Sequence, residues 1–190
     1  VDEIVFDENG QACGVKSGKE MAKAKMVIGD PSYFPRDKIR PTGQVVRCIC
    51  FLNHPIPNTN DNQSAQIIIP GPQVGRKNDI FVCTLSASHA VSARGIYIAI
   101  VSTKMEAGKP EEEIAPGLAV LGNILQRFTT VATTYEPISD GSDDQCFISS
   151  SFDGTSHFES DVNDLLSLYK RVTGEELDMT INADSVEADY

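Results

Sequence analysis

Basic residues are scarce in this 190-residue chain: 16 Lys and Arg stand against 27 Asp and Glu, a net charge of −11. An acidic surface repels phosphate backbones and anionic headgroups, which argues against nucleic acid or anionic membrane as a direct partner. The chain also lacks an apolar run long enough to span a bilayer, a secretory leader and a C-terminal lipidation motif. It has no internal repeat and no low-complexity segment. Cysteine is limited to five residues, Cys13, Cys48, Cys50, Cys83 and Cys146, most of them inside apolar runs. An odd set so placed reads as buried free thiols in a reducing compartment, so a cytoplasmic location is expected. The hydrophobic content of 41% is enough for one ordinary core. The chain opens on Val1 within a strand-like run and is expected to be the tail portion of a longer polypeptide.

The charge is unevenly placed. After Gly174 come Glu175, Glu176, Asp178, Asp184, Glu187 and Asp189 with no base, and without them 16 bases face 21 acids, a net of −5. Residues 175–190 therefore read as an acidic tail on a mildly acidic body. Within that body, Val45–Leu52, Ala65–Ile69, Ile80–Leu85 and Ile96–Val101 are near-continuous apolar runs of strand length. They do not alternate cleanly, which predicts cover on both faces. Polar loops without helical period join them, which predicts a four-stranded antiparallel meander.

Upstream, Val1–Phe6 and Ala12–Lys16 read as a hairpin around Glu8-Asn9-Gly10, with Ala24–Ile28 as a third strand and Ser32–Gly43 as a loop. Downstream, Pro110 and three glutamates open a helix whose stripe is Ile114, Leu118, Leu121, Leu125 and Phe128, with a kink or restart at Pro116-Gly117. Thr129–Thr134 and Gln145–Phe152 read as strands. A last helix is predicted from a Ser156/Glu159 capping box to Gly174, with Phe158, Val162, Leu165, Tyr169 and Val172 on its apolar face. The class is α+β: a mainly antiparallel mixed sheet with two or three helices packed on it.

No group of residues makes a convincing reactive centre. Cys48-x-Cys50 near His54 lacks the second ligand pair of a structural zinc site. Gly71-x-x-x-Gly75-Arg76-Lys77 has the wrong spacing for a phosphate loop and joins two strands. Asp153, Ser156 and His157 lack the nucleophile elbow of a hydrolase, and Ser156 is better used as a helix cap. Asn62-Gln63-Ser64 is a glycosylation sequon by pattern only, and His54 and His89 read as loop residues. No catalytic, cofactor-binding or metal-binding residue is assigned.

The loop wording is more specific. Asn53-His54-Pro55-Ile56, Asn58-Thr59-Asn60-Asp61, Gln66-Ile67-Ile68-Ile69-Pro70, Arg76-Lys77-Asn78-Asp79-Ile80 and Gly95 through Thr103 follow in order. Asp30-Pro31-Ser32-Tyr33 precedes them; Tyr135-Glu136-Pro137-Ile138, Asp140-Gly141-Ser142, His157-Phe158-Glu159 and Tyr169-Lys170-Arg171 come after. Together these closely resemble the C-terminal part of Rab GDP dissociation inhibitors, from residue 1 to about Gly174.

That resemblance implies a part of an FAD-oxidoreductase-like α/β domain, with residues 1–174 as the C-terminal portion of the larger domain, incomplete alone. It implies a non-enzymatic regulator of vesicle transport, without cofactor. The regulator binds prenylated Rab GTPases in the GDP state, slows GDP release, and recycles them between membrane and cytosol. The Rab-binding platform and lipid site are expected upstream, so no Rab-contacting residue is assigned here and this segment is expected to be scaffold. A Rab escort protein and a fragment of a flavin-dependent, amine oxidase-like oxidoreductase are the alternatives. In flavoproteins a second Gly-rich motif would fall at Ser151–His157, where one Gly beside bulky Phe152 and His157 poorly supports close approach to a pyrophosphate. With upstream sequence absent, at least one unpaired sheet edge is predicted.

Overall fold

The computed structural model describes residues 1–155 and 158–180. A hairpin extended by a third strand opens the chain: β1 (Glu3–Phe6), β2 (Ala12–Ser17) and β3 (Glu20–Lys23) form an antiparallel sheet in that order. The third strand lies earlier than the sequence suggests. Ser17 pairs with Glu20, so a two-residue turn at Gly18-Lys19 sends the chain straight back. The apolar residues expected in that strand instead fall at its end and in β4 (Val27–Gly29), which pairs in parallel with β10 (Cys146–Ile148). The expected long strand Gln145–Phe152 shrinks to β10, because Gln145 has φ +60° and the Ser150 N–H turns to the carboxylate of Asp164.

The main sheet has five strands in the order β6-β7-β8-β5-β9: β5 is Ile39–Leu52, β6 Ala65–Ile69, β7 Ile80–Ser86, β8 Tyr97–Lys104 and β9 Gln126–Pro137. All neighbours are antiparallel. The expected meander holds for β6, β7 and β8, but β5 lies beside β8, not β6. First strand next to fourth is a Greek key. The register explains the choice, since eight residues of β5, Val45 to Leu52, meet eight of β8 without a break. β5 also begins earlier than the sequence suggests. Pro41 and Gly43 look like loop residues, yet they form a bulge against β9, where a missing N–H is tolerated.

One face of this sheet is packed. Val46, Cys48, Cys50 and Leu52 line up with Ile80, Val82, Ala99 and Val101, and α1 (Pro110–Ala119) covers them with Ile114, followed by Leu121. Each large aliphatic side chain here contributes about 1.5–3 kcal/mol by leaving water. Pro116 does not stop the helix, which runs on to Ala119. A Cβ on Gly117 would lie 2.4 Å from Val101 Cγ1 and 2.9 Å from Ile80 Cγ2, so the Pro-Gly pair lets the helix approach the sheet closely. The helical stripe ends before its predicted length: Leu125 is exposed and Phe128 belongs to β9.

Glu113 fixes α1 in place. Its side chain is buried, and Oε1 accepts the N–H groups of Glu106 at 2.8 Å and Ala107 at 2.5 Å, while Oε2 pairs with the Arg76 guanidinium. Arg76 also donates to Lys104 O at 2.9 Å and faces Glu106 at 3.7 Å. Burial alone would push the Glu113 carboxyl up, but the Ala107 N–H, Arg76 and the Glu106 N–H outweigh it and hold it below the ordinary 4.5.

Glu113→Gln is expected to lower unfolding stability by about 3–5 kcal/mol in urea titrations at neutral pH, because Arg76 loses its buried partner. A depressed folded-state pKa makes the native contribution complete above about pH 4.5 and lost as pH falls through the lower folded value, so the gap between variant and native chain should close in acid. Gly117→Ala should destabilise by about 1–2 kcal/mol in thermal melts despite the better helix propensity of alanine, because the added methyl has no room.

Candidate functional site: unpartnered apolar surfaces

The cysteine pair, the Gly71–Lys77 segment and His54 take structural roles. Cys48 and Cys50 share the packed face with their sulfurs 3.6 Å apart. Burial, with the Cys48 thiol alongside, pushes the Cys50 thiol up to about 12, so the nucleophilic thiolate is disfavoured. Both ring nitrogens of His54 lie against carbonyl oxygens, of Pro55 at 2.7 Å and Asn123 at 3.0 Å, and join the loop after β5 to the turn before β9. No group of three or more His, Cys, Asp or Glu capable of holding a metal occurs among the described residues.

The Gly71–Lys77 segment does not form a phosphate cradle. The N–H groups of Lys77 and Asn78 already donate to Glu106 Oε1, at 3.0 and 2.7 Å, and Arg76 is committed to Glu113. His89 lies 3.1 Å from the Ser88 hydroxyl, and Asn62 is an exposed loop residue. Ser156 and His157 fall outside the described residues, so the capping box and the triad are not placed. The last helix, α2, runs Glu159–Thr173 with Phe158 as its cap residue and Gly174 closing it.

Residues 153 and 154 pack against the main sheet. Gly154 O accepts the Ser102 hydroxyl at 2.6 Å, and Asp153 O accepts Arg47 Nη2 at 3.2 Å. A Cβ on Gly154 would meet the Thr103 carbonyl carbon at 3.0 Å. This glycine therefore brings its backbone onto β8.

The surfaces left over are apolar and lack partners among the described residues. The outer face of the main sheet carries Ile49 and Phe51 on β5, Ile98 and Ile100 on β8, Leu85 on β7, Ile68 on β6 and Phe128 on β9, as the cross-strand register requires. Among the described residues, 153–155 cross only its end, and Phe128 remains 49% exposed and Ile49 39%. The expectation of cover on both faces therefore fails. The apolar runs reflect helix packing on one face and an open apolar surface on the other.

α2 does not bury the apolar stripe its sequence carries. Leu168 is buried, Asp164 accepts the N–H and hydroxyl of Ser150 at 2.9 Å each, and Arg171 Nη2 donates to Ile148 O at 3.0 Å. These residues share the inward face. The stripe of Val162, Leu165 and Tyr169 points to solvent, with Leu165 60% exposed and Phe152 and Phe158 also exposed. The third surface lies at β4 and β10. A parallel pair is normally embedded in a larger, doubly covered sheet, yet here it has two strands, with Ile28, Val1 and Tyr33 exposed beside it. Nothing in the sequence pattern distinguished an inward stripe from an outward one.

The family model for GDP dissociation inhibitors matches residues 1–184. A probable secretory pathway GDP dissociation inhibitor 1 of Schizosaccharomyces pombe is 54% identical over 93% of this chain and 40% of its own length. Rab GDP dissociation inhibitor beta of Rattus norvegicus is 49% identical over 94% of this chain and 40% of its own. A crystal structure of a Rab GDI from Plasmodium falciparum superposes with a TM-score of 0.87 at 44% identity, covering 92% of this chain and 40% of that one. The chain thus spans about 40% of the length of the relatives it matches.

Leu168→Ala is expected to cost about 2–4 kcal/mol in thermal or urea unfolding, whereas Leu165→Ala should change stability by less than about 0.5 kcal/mol. Equal losses would place the outward stripe against something within this chain.

Proposed function

This chain belongs to the GDP dissociation inhibitor family, and we propose that it is the supporting segment of a Rab GDP dissociation inhibitor. The match to the family model across residues 1–184 carries this reading. The relatives' names, which include Rab, give the partner class. In the proposed activity the longer polypeptide binds prenylated Rab in its GDP state. It slows GDP release, and withdraws and recycles the Rab between membrane and cytosol in vesicle transport.

A prenyl chain in water costs on the order of 0.8 kcal/mol per CH₂, so the holder must supply both an apolar groove and a protein surface. We assign this chain the role of framework for that holder: a stoichiometric binder in the cytoplasm, without a catalysed reaction or cofactor. No described helix is long and apolar enough to cross a membrane, which is compatible with transient membrane contact.

Three observations support the framework role. The outer sheet face, the outward stripe of α2 and the short parallel pair are all apolar or incomplete surfaces within residues 1–174. A covering remainder of a larger domain would bury them, each additional large aliphatic residue contributing about 1.5–3 kcal/mol. Residues 175–190 form an acidic appendage in this reading.

The test is a chimera in which this chain replaces its matched segment in the Schizosaccharomyces pombe relative. The chimera is expected to slow GDP release from a geranylgeranylated, GDP-loaded Rab and to extract it from liposomes as the parent does. The isolated chain is expected to leave the release rate within about twofold of Rab alone. A folded chimera without inhibition, or an isolated chain with full inhibition, overturns the framework reading.

A further inference from the structure

We infer that the free edge of β9, from Arg127 to Thr133, is a strand-acceptor site whose occupant is an extended segment of the longer family polypeptide that this chain does not cover. The inference rests on the framework reading above.

The register identifies the free backbone groups. Met105 N–H donates to Gln44 O, so even-numbered residues of β5 bond to β8 and odd-numbered ones turn to β9. Their partners are Thr134, Ala132, Thr130, Phe128 and Gln126. The N–H and C=O groups of Arg127, Thr129, Val131 and Thr133 are therefore directed away from β5, where no strand pairs among the described residues. At the far end the same edge already accepts an extended segment. Ser151 N–H donates to Tyr135 O, and Tyr135 N–H donates to the Ser151 hydroxyl, both at 2.9 Å. The edge is thus paired where the chain reaches it and open for the seven residues before.

That open stretch lacks the usual defences of an edge. It contains no proline and no lysine, and its one charge, Arg127, is engaged 3.1 Å from Glu111. Thr and Val dominate it, and Phe128 on one face and Val131 on the other are exposed, ready to pack against the side chains of an added strand. The relatives fold this region within polypeptides about two and a half times as long, since it covers 40% of them. That supplies an occupant in every molecule at high effective concentration, without the self-repulsion of two chains of net charge −11.

The experiment uses the chain itself and ten-residue synthetic peptides that tile the unmatched part of the Schizosaccharomyces pombe relative. Amide hydrogen exchange is read residue by residue. One peptide is expected to slow exchange at Thr129, Val131 and Thr133 at least tenfold. Thr129→Pro, which removes an outward N–H while sparing the bonds to β5, should abolish that protection. Val131→Lys, which keeps the backbone intact, should weaken it and guards against a folding defect in the proline variant. Absence of protection by any peptide overturns the inference, as does protection that survives both variants. Protection that appears without peptide and grows with chain concentration also overturns it, since a second copy would then be the occupant. Peptide capture with a chimera that fails to inhibit would sink the framework function while leaving the acceptor edge standing.

Discussion

The carboxylate of Glu113 holds the parts of this fold in relation to each other. It lies on the first turn of α1 but reaches back to two N–H groups of the loop after β8 and across to Arg76 in the loop before β7. Helix, third sheet strand and second sheet strand are thereby fixed around one buried charge. A buried ion pair is costly unless its remaining hydrogen bonds are satisfied, and here the two backbone donors supply them. The consequence is a helix held against one face of the sheet, with Gly117 allowing the approach.

Filling one face so thoroughly leaves the other face to be explained. Ile49, Phe51, Ile98, Ile100 and Leu85 stand on strands whose alternate residues are buried under α1, so they form a second apolar surface by register alone. The outward stripe of α2 and the two-stranded parallel pair raise the same question at other places in the molecule. The chain spans about 40% of its relatives' length, which supports the proposal that a larger domain covers these surfaces. The family membership and the uncovered surfaces therefore point the same way, from independent observations.

The sheet strands were legible where β-branched runs had clear ends. Ala65–Ile69 has the same bounds in the structure, and Ile80–Leu85 extends by one residue. They were not legible where local punctuation misleads. Pro41 and Gly43 mark a bulge inside β5 rather than a loop, and Phe128, which fits a helical spacing from Ile114, belongs to the edge strand β9. Glu113 read as one of three acids favouring a helix dipole, because the loop residues that bind it are distant from any pattern on the helix. The packing of Gly154 on β8 was not legible either, because it joins residues about fifty apart in the chain.

Sequence by itself determined most element types, the residues that share an apolar face and the family, because side-chain period and ordered loop wording are local properties of the chain. Tertiary structure alone decided that β5 sits beside β8, that α2 turns Leu168 inward and Leu165 outward, and that β9 is an open edge. Periodicity says which residues share a face but not what lies opposite. That choice belongs to contacts between distant segments: the unbroken register of β5 on β8, and the Ser150 and Ile148 bonds that capture Asp164 and Arg171.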